Sequence, residues 1–211
     1  MTVPHVFDPD EIERRSFEIV TGLLDGHKYD AVNLPVIKRC IHTSADFDYA
    51  ENLYFSPHVL ENFKALFKNG CTLVTDTQMA KAGIDRRRAA TFGIQIECYI
   101  ADEDVAADAK KRGVTRAMAA VEKAMGLSGP VVFAVGNAPT ALIRLYDAIC
   151  GGYEPSGIIA VPVGFVNVTE SKEMIIKTPV PCIVARGRKG GSTIAAAICN
   201  AILREICAVD G

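Results

Sequence analysis

The segment RCIHTSADFDY, residues 39–49, gathers an arginine, a histidine, two hydroxyls and two aspartates within eleven residues, just after the apolar run LPVI. Histidine titrates near neutral pH, so the chemistry open to His42 is general acid or base work. Arg39 stands three residues before it, and Thr43, Ser44 and Asp46 follow. The competing reading is a structural or surface histidine in a polar turn between helices. Metal ligation fits poorly, because His5, His27 and His58 show no ligand-like spacing to it, and no metal site is expected. No Ser–His or Cys–His motif accompanies it, and spacing alone goes no further.

Regular elements must position these groups. A first helix is marked by Asp8 as its cap, Pro9 at its first position, and Asp10 and Glu11 at its positive end. Its apolar stripe runs through Ile12, Ile19, Val20, Leu23 and Leu24, and Ser16 falls on that same face. A hydroxyl there is either a small packing residue or a sign that the face borders a cleft. A second helix is predicted from Pro57 to Asn69, with Ser56 as N-cap and Gly70 as its stop. Short β-branched apolar runs follow at 71–76, 94–102, 131–136, 157–164 and 182–187 and read as buried strands. Helical patterns at 103–112, 115–125, 138–150 and 192–207 separate most of them. Alternating strands and helices imply right-handed crossovers and a parallel sheet covered on both faces. Residues 1–211 read as one domain, with the helices before about residue 69 packed around its core.

Ligands of such sheets bind beyond the carboxyl ends of the strands. Those ends carry Asp76 and Thr77, then Asn137 in a Gly-Asn-Ala-Pro turn, then Lys172 after VPVGFVNVTES, and finally Arg188 and Lys189 in ARGRKGGST. In the last loop, glycines admit a ligand close to the backbone, and the next helix offers unpaired N–H groups to an anion. The bland alternative is a helix start with a solvated basic turn. The loop is not a phosphate-binding GxxxxGK[ST] motif, no GxGxxG occurs, and GLSGP fails the nucleophile-elbow pattern.

The bulk numbers set outer limits. A chain of 211 residues, 49% hydrophobic and 23% charged, can bury a substantial core. A net charge of −2 argues against a nucleic-acid or membrane-surface protein. The seven cysteines include no C-x-x-C and fall largely in apolar runs, as buried thiols of a reducing cytoplasm do. No signal-peptide pattern and no apolar run approaching the ~20 residues of a membrane span is visible, so a cytoplasmic location is expected.

Five motifs, IHTSADFDY, TDTQMAKAGI, VGNAPTAL, VPVGFVNVTESK and ARGRKGGSTIAAAICNAI, resemble the precorrin-8X methylmutase (precorrin isomerase) family, in the family's order and from about Asp8 to the last helix. The resemblance implies a three-layer, flavodoxin-like α/β fold with five parallel strands between helices. It implies an isomerase of cobalamin biosynthesis that moves a methyl group from C-11 to C-12 of precorrin-8X or cobalt-precorrin-8, without a cofactor. It implies a homodimer with the active site near the subunit interface, and no nucleic-acid or membrane partner. His42 matches the family's proton donor and acceptor, Ser16 and Arg39 its substrate contacts, and the strand-end loops would line the macrocycle.

A methyl migration needs no nucleophile; it needs a change in the ring's electron distribution, which protonation supplies. The many carboxylate side chains of a precorrin need separated cationic sites. The expected arrangement is therefore His42 held by Thr43 or Asp46, with Arg39, Lys172, Arg188 and Lys189 clamping carboxylates. Two other readings remain open from sequence: a non-catalytic tetrapyrrole-binding protein, and a phosphate- or nucleotide-binding module built on the glycine loop.

Overall fold

A computed structural model describes residues 7–24 and 29–209, so His5 and His27 lie outside the described residues. Asp8 caps α1 (Pro9–Leu23), its carboxylate accepting from the backbone N–H of Asp10 at 2.9 Å and of Glu11 at 3.0 Å. There follow α2 (Leu34–Ser44), α3 (Tyr49–Asn52), β1 (Leu53–Phe55), α4 (Val59–Lys68), β2 (Thr72–Thr75), α5 (Gln78–Gly83), α6 (Arg86–Thr91) and β3 (Gln95–Glu97). The second half alternates more regularly: α7 (Glu103–Arg112), α8 (Arg116–Met125), β4 (Val131–Val135), α9 (Pro139–Cys150), β5 (Gly157–Ala160), α10 (Val168–Ile176), β6 (Cys182–Ala185) and α11 (Ser192–Val209).

The strands form one sheet in the order β1-β6-β5-β4-β2-β3. All neighbours from β3 to β6 run parallel, whereas β1 is antiparallel to β6, with Leu53 opposite Ala185 and Phe55 opposite Ile183. The expectation of five parallel strands is thus corrected to a mixed sheet of six. The extra strand is three residues long, too short to announce itself by periodicity, and its pairing with β6 defines it. Ser56 is corrected with it. It does not cap a helix: its N–H donates to Cys182 O at 3.0 Å and its hydroxyl accepts from Cys182 N–H at 2.9 Å. The helix starts three residues later, after His58 in the left-handed region.

Every residue of β4, β5 and β6 is buried, as a strand with helices on both faces requires. The two-residue period divides the core. Val132, Ala134, Ile159 and Ile183 point to α1, α2, α4 and α11, where Phe63, Phe67 and Ile198 meet them. Phe133, Val135, Ile158 and Val184 point to α8, α9 and α10, against Leu142, Leu145 and Ile175. Gly157 permits a close fit between β5 and α4, since an added Cβ would stand 2.1 Å from Phe63 Cε1. Among the described residues no helix is long and apolar enough to cross a membrane, and no group of His, Cys, Asp and Glu could hold a metal ion.

Candidate active site between the first two helices

RCIHTSADFDY is not a loop throughout. Arg39 to Ser44 are the last turns of α2, and Ala45, at φ 55°, closes the helix with its N–H on Ile41 O at 2.7 Å. Thr43 and Ser44 turn their hydroxyls back onto the carbonyls of Arg39 and Cys40, both at 2.8 Å. Ile41 and Cys40 anchor the turn in the core, which directs His42 and Arg39 towards α1.

Ser16 Oγ meets His42 Nδ1 at 2.7 Å. The next residue, Phe17, stacks on the imidazole with ring centroids 5.1 Å apart and planes 16° apart. The Arg39 guanidinium stands over the same Phe17 ring at 4.6 Å. Glu13, one turn earlier on α1, pairs with Arg39 at 2.6 Å and with Arg204 of α11 at 2.9 Å. Ser16, Arg39 and His42 are therefore brought together as the sequence suggested. Ser16, rather than Thr43 or Asp46, is the residue that holds the histidine: Thr43 is bonded to its own helix and Asp46 to Lys189. His42 Nε2 makes no hydrogen bond to the described residues.

Burial pushes the His42 pKa down, Arg39 and Arg204 push it down further, and Glu13 opposes them. A lowered pKa makes the imidazolium a readier proton donor. Burial works against the charge of Glu13, but Arg39 and Arg204 together hold its carboxyl below the usual range.

Among the described residues, His42 lines an apolar cavity and a polar one. One, about 520 Å³, is an apolar groove between α1 and α2 walled by Ile12, Ile19, Leu23 and Phe47. The other, about 490 Å³, is polar and is bounded by Arg39, Arg88, Thr193, Asn200 and Arg204. The face of α1 carrying Ser16 does border a cleft. An imidazole between a flat apolar wall and a cationic one can exchange a proton with a large conjugated ligand that bears peripheral carboxylates.

The strand-end residues behave differently. Asp76 is buried and its carboxylate accepts from the backbone N–H of Gly136 at 2.8 Å, Asn137 at 2.8 Å and Ala138 at 2.7 Å. Burial pushes its carboxyl up, against the pull of those bonds. Thr77 caps α5 and its hydroxyl meets Ser192 Oγ at 2.7 Å, at the start of α11. Gly136 packs so close there that a Cβ would fall 2.7 Å from Ser192 Cα. Ser192, the first residue of α11, is thus packed against the β2 and β4 strand ends. Lys172 is fully buried, donating to Gly187 O and Lys189 O, both at 2.8 Å, so its ammonium faces the backbone and not an open clamp. Lys189 pairs with Asp46 and Asp48, while Arg188 and the side chain of Asn137 are exposed.

Sequence reading missed Glu13, Phe17 and Arg204. Glu13 and Phe17 had a faint signal, since 13, 16, 17 and 20 share helical spacing. Arg204 lies 191 residues from Glu13, and nothing local marks it.

A doubly wound α/β protein with an imidazole poised between an apolar groove and a cationic cavity has the makings of an enzyme for a large, flat, anionic substrate. Residues 11–205 match the family described as precorrin-8X methylmutase. The chain is 42% identical over 208 residues to a cobalt-precorrin-8 methylmutase of Salmonella typhimurium, covering 96% of this chain and 98% of that one. It is 32% identical to a precorrin-8X methylmutase of Sinorhizobium sp., covering 95% and 96%. The crystal structure of a precorrin-8X methylmutase from Thermus thermophilus superposes with a TM-score of 0.87 at 36% identity, covering 94% of this chain and 98% of that one. The chain belongs to the precorrin-8X methylmutase family and is an isomerase of cobalamin biosynthesis.

Proposed function

We propose that this isomerase moves the methyl group from C-11 to C-12 of precorrin-8X or cobalt-precorrin-8, with His42 exchanging the proton that changes the electron distribution of the ring. The observation that carries this reading is the 2.7 Å contact between Ser16 Oγ and His42 Nδ1, which leaves Nε2 without a protein partner among the described residues. In the charged imidazole both nitrogens donate, Nδ1–H to Ser16 and Nε2–H to the ligand. Proton donation to the conjugated system weakens the C-11 to methyl bond; the methyl forms its new bond at C-12, and the proton returns to Nε2. Help of this kind is worth ~10²–10⁴ in rate.

The apolar groove receives the macrocycle. Arg39 and Thr43, which line the polar cavity on the other side of His42, and the exposed Arg188 and Asn137 are the groups assigned to its carboxylates and polar substituents. Lys189, Lys172, Asp76 and Thr77 act at one remove, by holding the loops that carry those groups. The exposed apolar side chains of Ile12, Ile19 and Leu23 on α1 suit a cleft closed by a second copy, so the working form is a cytoplasmic homodimer of single-domain subunits. No cofactor enters the reaction.

The test is anaerobic mixing of the protein with metal-free precorrin-8X, and separately with its cobalt form, while visible absorbance is followed. Wild type is expected to convert one or both to the corrin product. His42→Ala is expected to bind with a spectral shift and not to convert. Turnover by His42→Ala at the wild-type rate refutes the proton role, and binding without conversion by wild type favours a tetrapyrrole-binding protein.

A further inference from the structure

We propose that Phe17 and Glu13 are positioning residues for His42: the Phe17 ring fixes the imidazole by stacking, and Glu13, anchored by Arg204, holds the Arg39 guanidinium against that ring at the edge of the polar cavity. The inference rests on the reading of His42 as the proton-exchanging group and extends it to residues that never touch the ligand.

Four contacts converge on it. The imidazole and the guanidinium both rest on Phe17, at 5.1 Å and 4.6 Å. Stacked aromatic pairs and cations over rings are favoured at these separations. Arg39 is nearly buried, with 14% of its side chain exposed, and one carboxylate, Glu13, holds both it and Arg204 in place. That bridge joins α1, α2 and α11, which all contribute walls of the site. The charged groups facing His42 are Glu13 and Arg15 from α1, Arg39 from α2, Asp85 and Arg88 at the start of α6, and Arg204 from α11. Asp85 and Arg88 are paired with each other. Glu13 is therefore the carboxylate set against Arg39 and Arg204. Without it, two guanidiniums near the imidazole disfavour the imidazolium.

The test uses the full chain with ¹⁵N-labelled histidine, the His42 signals being assigned by their loss in His42→Gln. Glu13→Gln keeps the shape of the side chain on a partly exposed helix face, and unchanged far-UV circular dichroism verifies its fold. Its His42 midpoint is expected below that of wild type, its kcat at neutral pH about tenfold lower, with partial recovery as the pH is lowered. Glu13→Asp should fall between the two. Phe17→Leu is expected to lose about tenfold in kcat with KM within about twofold, and to show mixed His42 tautomers where wild type shows one. A merely structural role would move neither the titration nor the tautomer. An unmoved midpoint in Glu13→Gln together with an unmixed tautomer in Phe17→Leu overturns the proposal. If His42→Gln turns over like wild type, the proton role falls instead, and the two spectroscopic readouts still decide whether Phe17 and Glu13 position the ring.

Discussion

Lys189 Nζ lies 2.7 Å from Asp46 Oδ2, tying the loop between β6 and α11 to the segment that follows His42. Asp48 takes the same ammonium at 2.6 Å. Phe47, between the two aspartates, forms part of the apolar groove. One cation thus fixes the edge of the cavity in which the macrocycle is proposed to lie.

Removing that cation leaves two carboxylates at the mouth of a site for an anionic substrate. Lys189→Ala should therefore raise KM more than it lowers kcat. The rise should be larger at ~0.01 M salt, where the Debye length is about 30 Å, than at ~1 M, where it is about 3 Å. Steady-state kinetics at the two ionic strengths checks it. A salt-independent KM effect would mean that Phe47 is displaced and that charge is not the cause.

Ser16→Ala removes the hydrogen bond to His42 Nδ1 and leaves the stack on Phe17 in place. Either imidazole tautomer then becomes available, and the ring loses one of its two restraints. The expected result is a kcat loss of up to about 10²-fold, the scale on which a small misplacement of a catalytic group costs rate. KM should be little changed, because the hydroxyl is already committed to the histidine. A variant that loses affinity while keeping kcat would make Ser16 a substrate contact, as the family resemblance alone implies.

Legibility from the sequence followed burial. β4, β5 and β6 stood out because a strand buried on both faces must be apolar at every position, whereas β1, three residues at the edge, exists by its register with Ile183 to Ala185. The end of α2 was not marked as helix in the sequence because Thr43 and Ser44 are poor helix formers; their hydroxyls bonding back to carbonyls, and the packing of Cys40 and Ile41 in the core, hold that turn helical. His42, Ser16 and Arg39 were visible because type, spacing and motif agreed. Asp76 and Lys172 were read as ligand contacts because a sequence shows a charge but not the direction it faces. Both turn out to satisfy backbone groups inside the fold.

Lys172 leads to the last prediction. Its ammonium is fully buried against the carbonyls of Gly187 and Lys189, and burial pushes its pKa from an ordinary 10.5 down to about 8. Between about pH 8 and 10.5 the unfolded chain then holds more protons than the folded one, so the contribution of this residue to stability rises with pH across that window. Lys172→Met keeps the packing volume but leaves two buried carbonyls without their donor, at a cost of ~1–3 kcal/mol. The unfolding free energy of wild type should exceed that of the variant at neutral pH, and the difference should widen as pH rises from about 8 towards 10.5. Urea unfolding of both proteins across that range measures it, because every other titrating group cancels in the difference. A gap that stays flat with pH would place the Lys172 pKa at its ordinary value and so put its ammonium in contact with water.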